Sequence, residues 1–525
     1  MQLTLPLAFA ESVRKFADRP ALIGEEGRSF SYAQLDAQRR TAAQALIALG
    51  VQPKDRVALW AQNTPEWVIA ALAVQSIGAV LVPVNTRMRG QEVAYVLERS
   101  QAKLLFTCGR FLDQYFPALL EGHKPASLEH LIVMSDALEG DRSDACGATK
   151  ELTWTQFLAK AEGVDPAEVD CRAAQVQPGD LMDIMFTSGT TGQPKGVMSA
   201  HGQNLRVSHE WGKRVELVPE DRYLIINPFF HAFGYKAGWL TALLYGCAIL
   251  PHAVFDAAAV MKRIERDRIS VLPGPPTLFI SLLNSPERAS TDLSSLRATM
   301  TGAATVAPSL IEQMRKELRF KVLLTGYGLT EASGMVSFCH STDDDETVAR
   351  TCGKPIPDTE VKCIDEQGNR LPHGVAGELL VRGYNVMQGY LDNPKATAEA
   401  IDADGWLHTG DVAVIDERGY IRITDRLKDM YITGGFNCYP AEIERMMSAH
   451  PAIAQVAVIG IPDERQGEVG KAYVTLRPGQ SVDEKSLIAW CREQMANYKV
   501  PRHIEIVEAL PTNASGKVMK FQLPR

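Results

Sequence analysis

The chain has 525 residues, 46% of them hydrophobic and 22% charged; this is too long for one hydrophobic core and far from the signature of disorder, so two or more globular domains are expected. A net charge of -8 gives no general electrostatic footing for nucleic acid or an anionic membrane, so any polyanionic ligand must bind in a local pocket. Nine cysteines, never spaced as C-x-x-C, indicate neither a disulfide framework nor a zinc site and suit a reducing cytoplasm.

The opening MQLTLPLAFAESVRK has no positive charge ahead of its short apolar run and reads as the first helix of the folded protein, not as a leader. The stretch Trp67 to Val84 is interrupted by Gln75, Ser76, Gly78 and Pro83, which predicts a buried helix followed by a strand and no integral membrane segment. Up to about residue 350, helical-period segments alternate with the apolar runs RVALW, AVLVPV, KLLFT, HLIVM, YLIIN, ISVLPG and KVLLTGYG, the pattern of α/β layers with largely parallel sheets. From Gly353 to Arg422 short strands separated by Gly, Asp, Asn and Pro predict a β-rich subdomain. After Asp425 the tail predicts a small α+β unit: helix in AEIERMMSAH, strands in VAVIGIP and KAYVTLRP, and a helix in DEKSLIAWCREQM capped by Asp483. No long linker separates the two parts, so the boundary near TDRLKDM is expected to be a tight hinge.

The segment Thr187, Ser188, Gly189, Thr190, Thr191, Gly192, Gln193, Pro194, Lys195, Gly196 follows the apolar run LMDIMF. Hydroxyls, glycine amides and one lysine after a strand supply what a polyphosphate needs: close backbone approach, many donors and a cation. The P-loop pattern is a poor match, because Gln193 and Pro194 separate Gly192 from Lys195 and no Ser or Thr follows the lysine.

The chain here resembles the adenylate-forming superfamily of acyl-CoA synthetases, coumarate-CoA ligases, luciferase and peptide-synthetase adenylation domains. The resemblance covers nearly the whole chain, with seven motifs in family order: FTSGTTGQPKGV at 186 to 197, TGAA at 301 to 304, YGLTEASG at 327 to 334, GELLVRG at 377 to 383, GWLHTGD at 405 to 411, DRLKDMYITGGFNCYPAEIE at 425 to 444 and PTNASGK at 511 to 517. It implies a large multi-sheet N-terminal domain, residues 1–425, holding ATP and the acid, and a small mobile α+β C-terminal domain, residues 426–525, carrying a catalytic lysine.

The chemistry so implied is the AMP-forming activation of a carboxylic acid as an acyl-adenylate, followed by transfer to coenzyme A. Charge builds on phosphate oxygens in the first step, so cations and donors must converge on the phosphorus. By resemblance the loop from Thr187 to Gly196 holds the β- and γ-phosphates, Lys517 contacts the carboxylate and bridging phosphate oxygens, Thr330 donates to the α-phosphate, and Glu331 binds Mg²⁺. Tyr327 stacks on adenine against Gly302, Ala303 and Ala304; Asp411 accepts from the ribose hydroxyls and Arg426 adds a ribose or phosphate contact. Rotation about Lys428 withdraws Lys517 and brings Gly434, Gly435 and Phe436 beside the pantetheine tunnel for the second step.

His231, in NPFFHAFG, occupies the family position bordering the acyl pocket and either gates it or serves as a structural histidine; amino-acid-activating relatives carry aspartate there. Phe229, Phe230, Phe233, Tyr235, Trp239, Met335 and Val336 near that position suggest an apolar acyl group: fatty, aryl or alicyclic. The segment from Arg56 to Leu112 also resembles bacterial degradative CoA ligases, including those acting on alicyclic propanoates left from steroid rings. The alternative is an adenylate-forming enzyme with a different acceptor, a carrier protein or oxidation. The expected partners are a small carboxylic acid, ATP and CoA, with no nucleic acid; a symmetric homodimer is the base-rate expectation for a soluble enzyme.

Overall fold

The computed structural model describes residues 3–136, 150–188, 193–302, 308–365, 367–426, 431–438, 440–447, 449–477, 479–511 and 520–524. Its centre is an eight-stranded sheet in the order Gly389–Tyr390, Pro194–Ala200, Leu181–Ser188, Val80–Pro83, Arg56–Trp60, Leu104–Thr107, His130–Val133, Lys150–Thr153. From Leu181–Ser188 onward all pairings are parallel, as the alternating pattern predicts. The helix Pro65–Ser76, whose first turn is closed by Thr64 Oγ1 accepting from Trp67 N at 3.3 Å, is buried at every position from Trp67 on. Burial on all sides explains why this run has no polar face.

A second sheet lies beside the first. Its strands Arg222–Ile225, Ala248–Pro251, Pro20–Ile23 and Ser29–Ser31 are joined, through single bridges at Val271, to Ala298–Gly302, Val322–Tyr327, Ser337–Phe338 and Lys354–Pro355. The run ISVLPG thus forms only a bridge where a strand is expected, because Pro273, Pro275 and Pro276 remove the amide donors that would extend it.

The β-rich stretch is an antiparallel sheet of Thr359–Ile364, Gly377–Gly383, Leu407–Ile415 and Ile421–Arg426. Two departures from the sequence reading occur inside it. Gly389–Tyr390 leaves to pair with Pro194–Ala200, and the helix Pro394–Ala400 follows, opened by Asn393 accepting from Ala396 N. The tail forms its own core of Tyr431, Ile443, Met447, Val458, Val474, Leu487 and Cys491. There Pro440–Met447 and Glu484–Gln494 cover a sheet led by the hairpin Ile453–Asp463 and Gly467–Leu476, and Asp483 caps the second helix by accepting from Ser486 N.

Candidate active site

Phosphate-loop residues Gly189, Thr190, Thr191 and Gly192 lie outside the described residues, as do Ala303, Ala304, Lys428, Lys517 and the side chains of Ser188 and Arg426. The stem of the loop is described. Leu181–Ser188 and Pro194–Ala200 form an antiparallel pair with Ser188 opposite Pro194 and Thr187 opposite Lys195, so the strand entering the motif is paired with the strand that leaves it. The hairpin is anchored from below by Asp183, whose Oδ2 accepts from Asn204 Nδ2 at 2.7 Å and whose Oδ1 lies 3.3 Å from Lys236 Nζ. Burial pushes the Asp183 carboxyl up and the Lys236 ammonium down, each against the pull of the other. This buried pair ties the phosphate hairpin to the segment that carries His231.

The TGAA and YGLTE motifs follow the carboxyl ends of neighbouring parallel strands, Ala298–Gly302 and Val322–Tyr327, in register Gly302 to Gly326. Ligands of open α/β sheets bind at such ends. The chain then turns sharply: a Cβ on Gly328 would lie 2.1 Å from the Gly334 carbonyl oxygen, so only glycine fits. Thr330 opens the short 3₁₀ turn Thr330–Ala332, which aims Glu331 at the hairpin stem.

Glu331 Oε1 accepts from Tyr390 OH at 3.0 Å and lies 3.4 Å from Thr187 Oγ1, while Lys195 Nζ stands 4.9 Å from the Tyr390 ring centroid. The tertiary fold thus joins Thr187 and Lys195 of one motif to Glu331 of another. Removal from bulk water pushes the Glu331 carboxyl up despite these donors and the lysine. Tyr390 is a member of this cluster that sequence reasoning missed. Its only local signal is its place in a two-residue strand beside the phosphate hairpin, which no periodicity reveals.

Tyr327 OH donates to Asp411 Oδ2 at 2.5 Å. Asp411 is held by a turn in which its own amide donates to Thr409 Oγ1 at 3.1 Å, and it pairs with Arg426 across the sheet. The residues read as adenine- and ribose-binding are therefore neighbours although 84 positions apart.

His231 caps a short helical turn by accepting from Phe233 N through Nδ1 at 3.2 Å, which leaves the ring proton on Nε2. The ring is exposed, and the protein packed around it holds its pKa below the usual imidazole value by desolvation. Of the seven apolar residues read as pocket lining, Phe229, Tyr235, Trp239, Met335 and Val336 are fully buried. They pack the core, as in the 5.0 Å stack of Tyr235 on Trp239, and only Phe230 and Phe233 reach the surface of the site. Trp211, not singled out from the sequence, packs edge-on against Phe233 at 5.5 Å and Phe338 at 4.9 Å; Trp211 and Phe338 are themselves buried, so they back Phe233 from the core and do not line the site.

In the C-terminal unit Gly434 and Gly435 turn between Tyr431–Thr433 and Phe436–Cys438 at positive φ, 55° and 84°. A Cβ on Gly435 would lie 3.7 Å from Pro275 Cγ, so this turn faces the N-terminal domain. Phe436 packs against Tyr498, 4.7 Å between centroids, and against the Arg87 guanidinium, 4.2 Å from its ring.

This arrangement has counterparts. The chain matches the family models described as AMP-binding enzyme, over residues 9–391, and AMP-binding enzyme C-terminal domain, over residues 442–517. It is 50% identical over 521 residues to the 3-[(3aS,4S,7aS)-7a-methyl-1,5-dioxo-octahydro-1H-inden-4-yl]propanoyl:CoA ligase of Mycobacterium tuberculosis, covering 99% of this chain and 98% of that one. Among solved structures it is similar to a double mutant of o-succinylbenzoate CoA synthetase (MenE) from Bacillus subtilis bound with its product analogue OSB-NCoA, at 27% identity, TM-score 0.82 and 98% coverage of both chains. It is also similar to ATP-bound MatB from Rhodopseudomonas palustris, at 29% identity, TM-score 0.68 and coverage of 99% and 98%. With both family domains matched in order and full-length similarity to CoA ligases, the chain belongs to the AMP-binding enzymes, among their AMP-forming acid–thiol ligases.

Proposed function

We propose that the acid activated by this ligase is an alicyclic propanoate of the fused-ring, steroid-derived kind. The observation that carries the reading is the 50% identity over 99% of the chain to the ligase whose name specifies an octahydroindene-dione propanoyl group. Phe230 and Phe233, the two rings beside His231 that reach the surface, support it by offering apolar contact to a ring-bearing acyl group.

In this reading the acid lies beside His231 and Phe233, with its carboxylate directed to the ends of the strands Ala298–Gly302 and Val322–Tyr327. Thr187, Lys195 and the loop between them hold the β- and γ-phosphates, Tyr327 and Asp411 hold adenosine, and Thr330 positions the α-phosphate. The hard oxygens of Glu331 and Thr187 fit Mg²⁺, which takes one or two protein ligands and completes its shell with phosphate and water. When bound, the ion supplies charge neutralisation on the phosphate oxygens. Lys517 enters for adenylation, and the Gly434–Phe436 turn borders the thiol path afterwards. ATP and CoA place the enzyme in the reducing cell interior, where thiols such as Cys171 persist. No helix among the described residues is long and apolar enough to cross a membrane.

The test is a panel of hydrindane-dione propanoate, fatty and aryl acids with ATP and Mg²⁺, with and without CoA, scored for AMP, ADP and acyl-CoA. The expected result is AMP plus thioester with kcat/KM for the bicyclic acid at least about tenfold above the others. A fatty or aryl acid as the preferred substrate overturns the acid assignment, and AMP without thioester moves the enzyme to another acceptor.

A further inference from the structure

The two domains meet through a buried charge cluster. Lys499 Nζ lies 2.7 Å from Glu92 Oε1 of the N-terminal domain and 2.8 Å from Glu442 Oε1 of its own unit, with side chains 2%, 8% and 1% exposed. Around it, Asn85 Nδ2 donates to Tyr498 OH at 3.3 Å, Arg89 Nη2 donates to the Arg492 carbonyl at 2.9 Å, and Arg87 covers Phe436. We propose that Glu92 is a positioning residue for thioester formation: its carboxylate receives Lys499 and holds the C-terminal domain with the Gly434–Phe436 turn against the N-terminal domain.

Three observations carry this. Glu92 is preset, because its other oxygen, Oε2, accepts from Arg89 N at 2.8 Å at the start of the helix Gly90–Ser100; its rotamer is fixed before Lys499 arrives. Lys499 already has an intradomain partner in Glu442, so the pair travels as a unit, and docking adds one carboxylate to a charge that is never left bare. Burial alone lowers the Lys499 pKa, but Tyr498, Glu92 and Glu442 together raise it well above the usual lysine range, so the ammonium persists in the docked state. The third is the docked turn itself: Gly435 faces Pro275 and Phe436 meets Arg87 of the N-terminal domain, which puts the Gly434–Phe436 turn against that domain in the same arrangement that forms the Lys499–Glu92 pair. A rotation that separates the domains leaves Lys499 with Glu442 and returns Glu92 to water. The cluster therefore biases which half-reaction the enzyme is set for.

The inference rests on the CoA-ligase reading, and its test separates the two. Glu92→Gln keeps the oxygen that caps the helix and removes the charge facing Lys499. Expected are faster deuterium exchange in peptides spanning 85–92 and 498–502 with the eight-stranded sheet unchanged, single-turnover transfer to CoA slowed about tenfold at saturating CoA, and pyrophosphate release within about twofold of wild type. Glu92→Asp is expected to recover part of the transfer rate. Equal slowing of both half-reactions, or unchanged exchange across the contact, overturns the role. If wild type yields no thioester with any acid, the ligase reading fails, and the exchange experiment still decides whether Glu92 holds the domains together.

Discussion

Glu331 sits where binding and stability conflict. Its carboxylate is drawn out of bulk water to meet Tyr390 and Thr187, and desolvation raises its pKa. On the proposed reading, in which Glu331 meets Mg²⁺, its charge is held at a cost to the fold. Glu331→Gln is expected to lower adenylation on the order of 10²-fold, the scale of losing one electrostatic stabiliser. The melting temperature should stay equal or rise, because the neutral amide keeps the Tyr390 contact without the desolvated charge. Pyrophosphate-release kinetics and calorimetry on the same sample check both halves.

His201 shows the opposite sign of ionisation. Fully buried, it accepts from Leu5 N through Nδ1 at 3.2 Å, and burial lowers its pKa to about 4. The neutral ring is the folded form, so the unfolded chain binds the proton first as pH falls. Its contribution is complete above the unfolded value of about 6.5 and is lost progressively down to about pH 4, a change of about 3 kcal/mol. Denaturation midpoints measured between pH 7.5 and 4.5 should fall accordingly, and His201→Gln should be less stable at pH 7.5 with a shallower fall.

At the level of elements, the turn after Val322–Tyr327 depends on backbone contact. Gly328 lies against the Gly334 carbonyl, where a methyl group would penetrate to 2.1 Å, whereas Gly410, at φ 70°, has nothing within 4 Å of a built Cβ. Gly328→Ala is expected to cost at least ~3 kcal/mol and to displace Thr330 and Glu331, while Gly410→Ala costs about 1 kcal/mol from its backbone alone. Urea unfolding of the two variants separates overlap from backbone strain; equal losses would refute the packing argument. Elements were legible in the chain where pattern and punctuation agreed. The buried helix Pro65–Ser76, the capped helix Glu484–Gln494 and the parallel runs formed as their residues indicate. ISVLPG did not, since apolar content says nothing about the amide donors its prolines lack. Phe229, Tyr235 and Trp239 read as pocket lining for a similar reason: sequence places them beside His231, but only packing shows that they face inward.

At the scale of the molecule, two half-reactions need two domain arrangements, since an adenylate must be shielded first and opened to a thiol afterwards. We propose that Lys517 serves the first and that Lys428 is the pivot. Lys517→Ala should abolish adenylation yet leave transfer from synthetic acyl-adenylate to CoA within a few fold. Lys428→Pro, which fixes φ, should impair transfer more than adenylation. Rapid-quench assays of each half-reaction decide; parallel losses in both would remove these assignments.

The sequence by itself determined the family, the chemistry and the order of the site motifs, because phosphate and nucleotide binding demand particular residue types in short contiguous runs such as Thr187 to Gly196 and Tyr327 to Glu331. Only the tertiary structure decided which runs meet. Tyr390 joined Glu331, Tyr327 joined Asp411, Trp211 joined Phe233, and Glu92 joined Lys499 across 407 positions. Such encounters depend on strand order and domain docking, which are set by the burial of whole faces and leave no local trace in the chain.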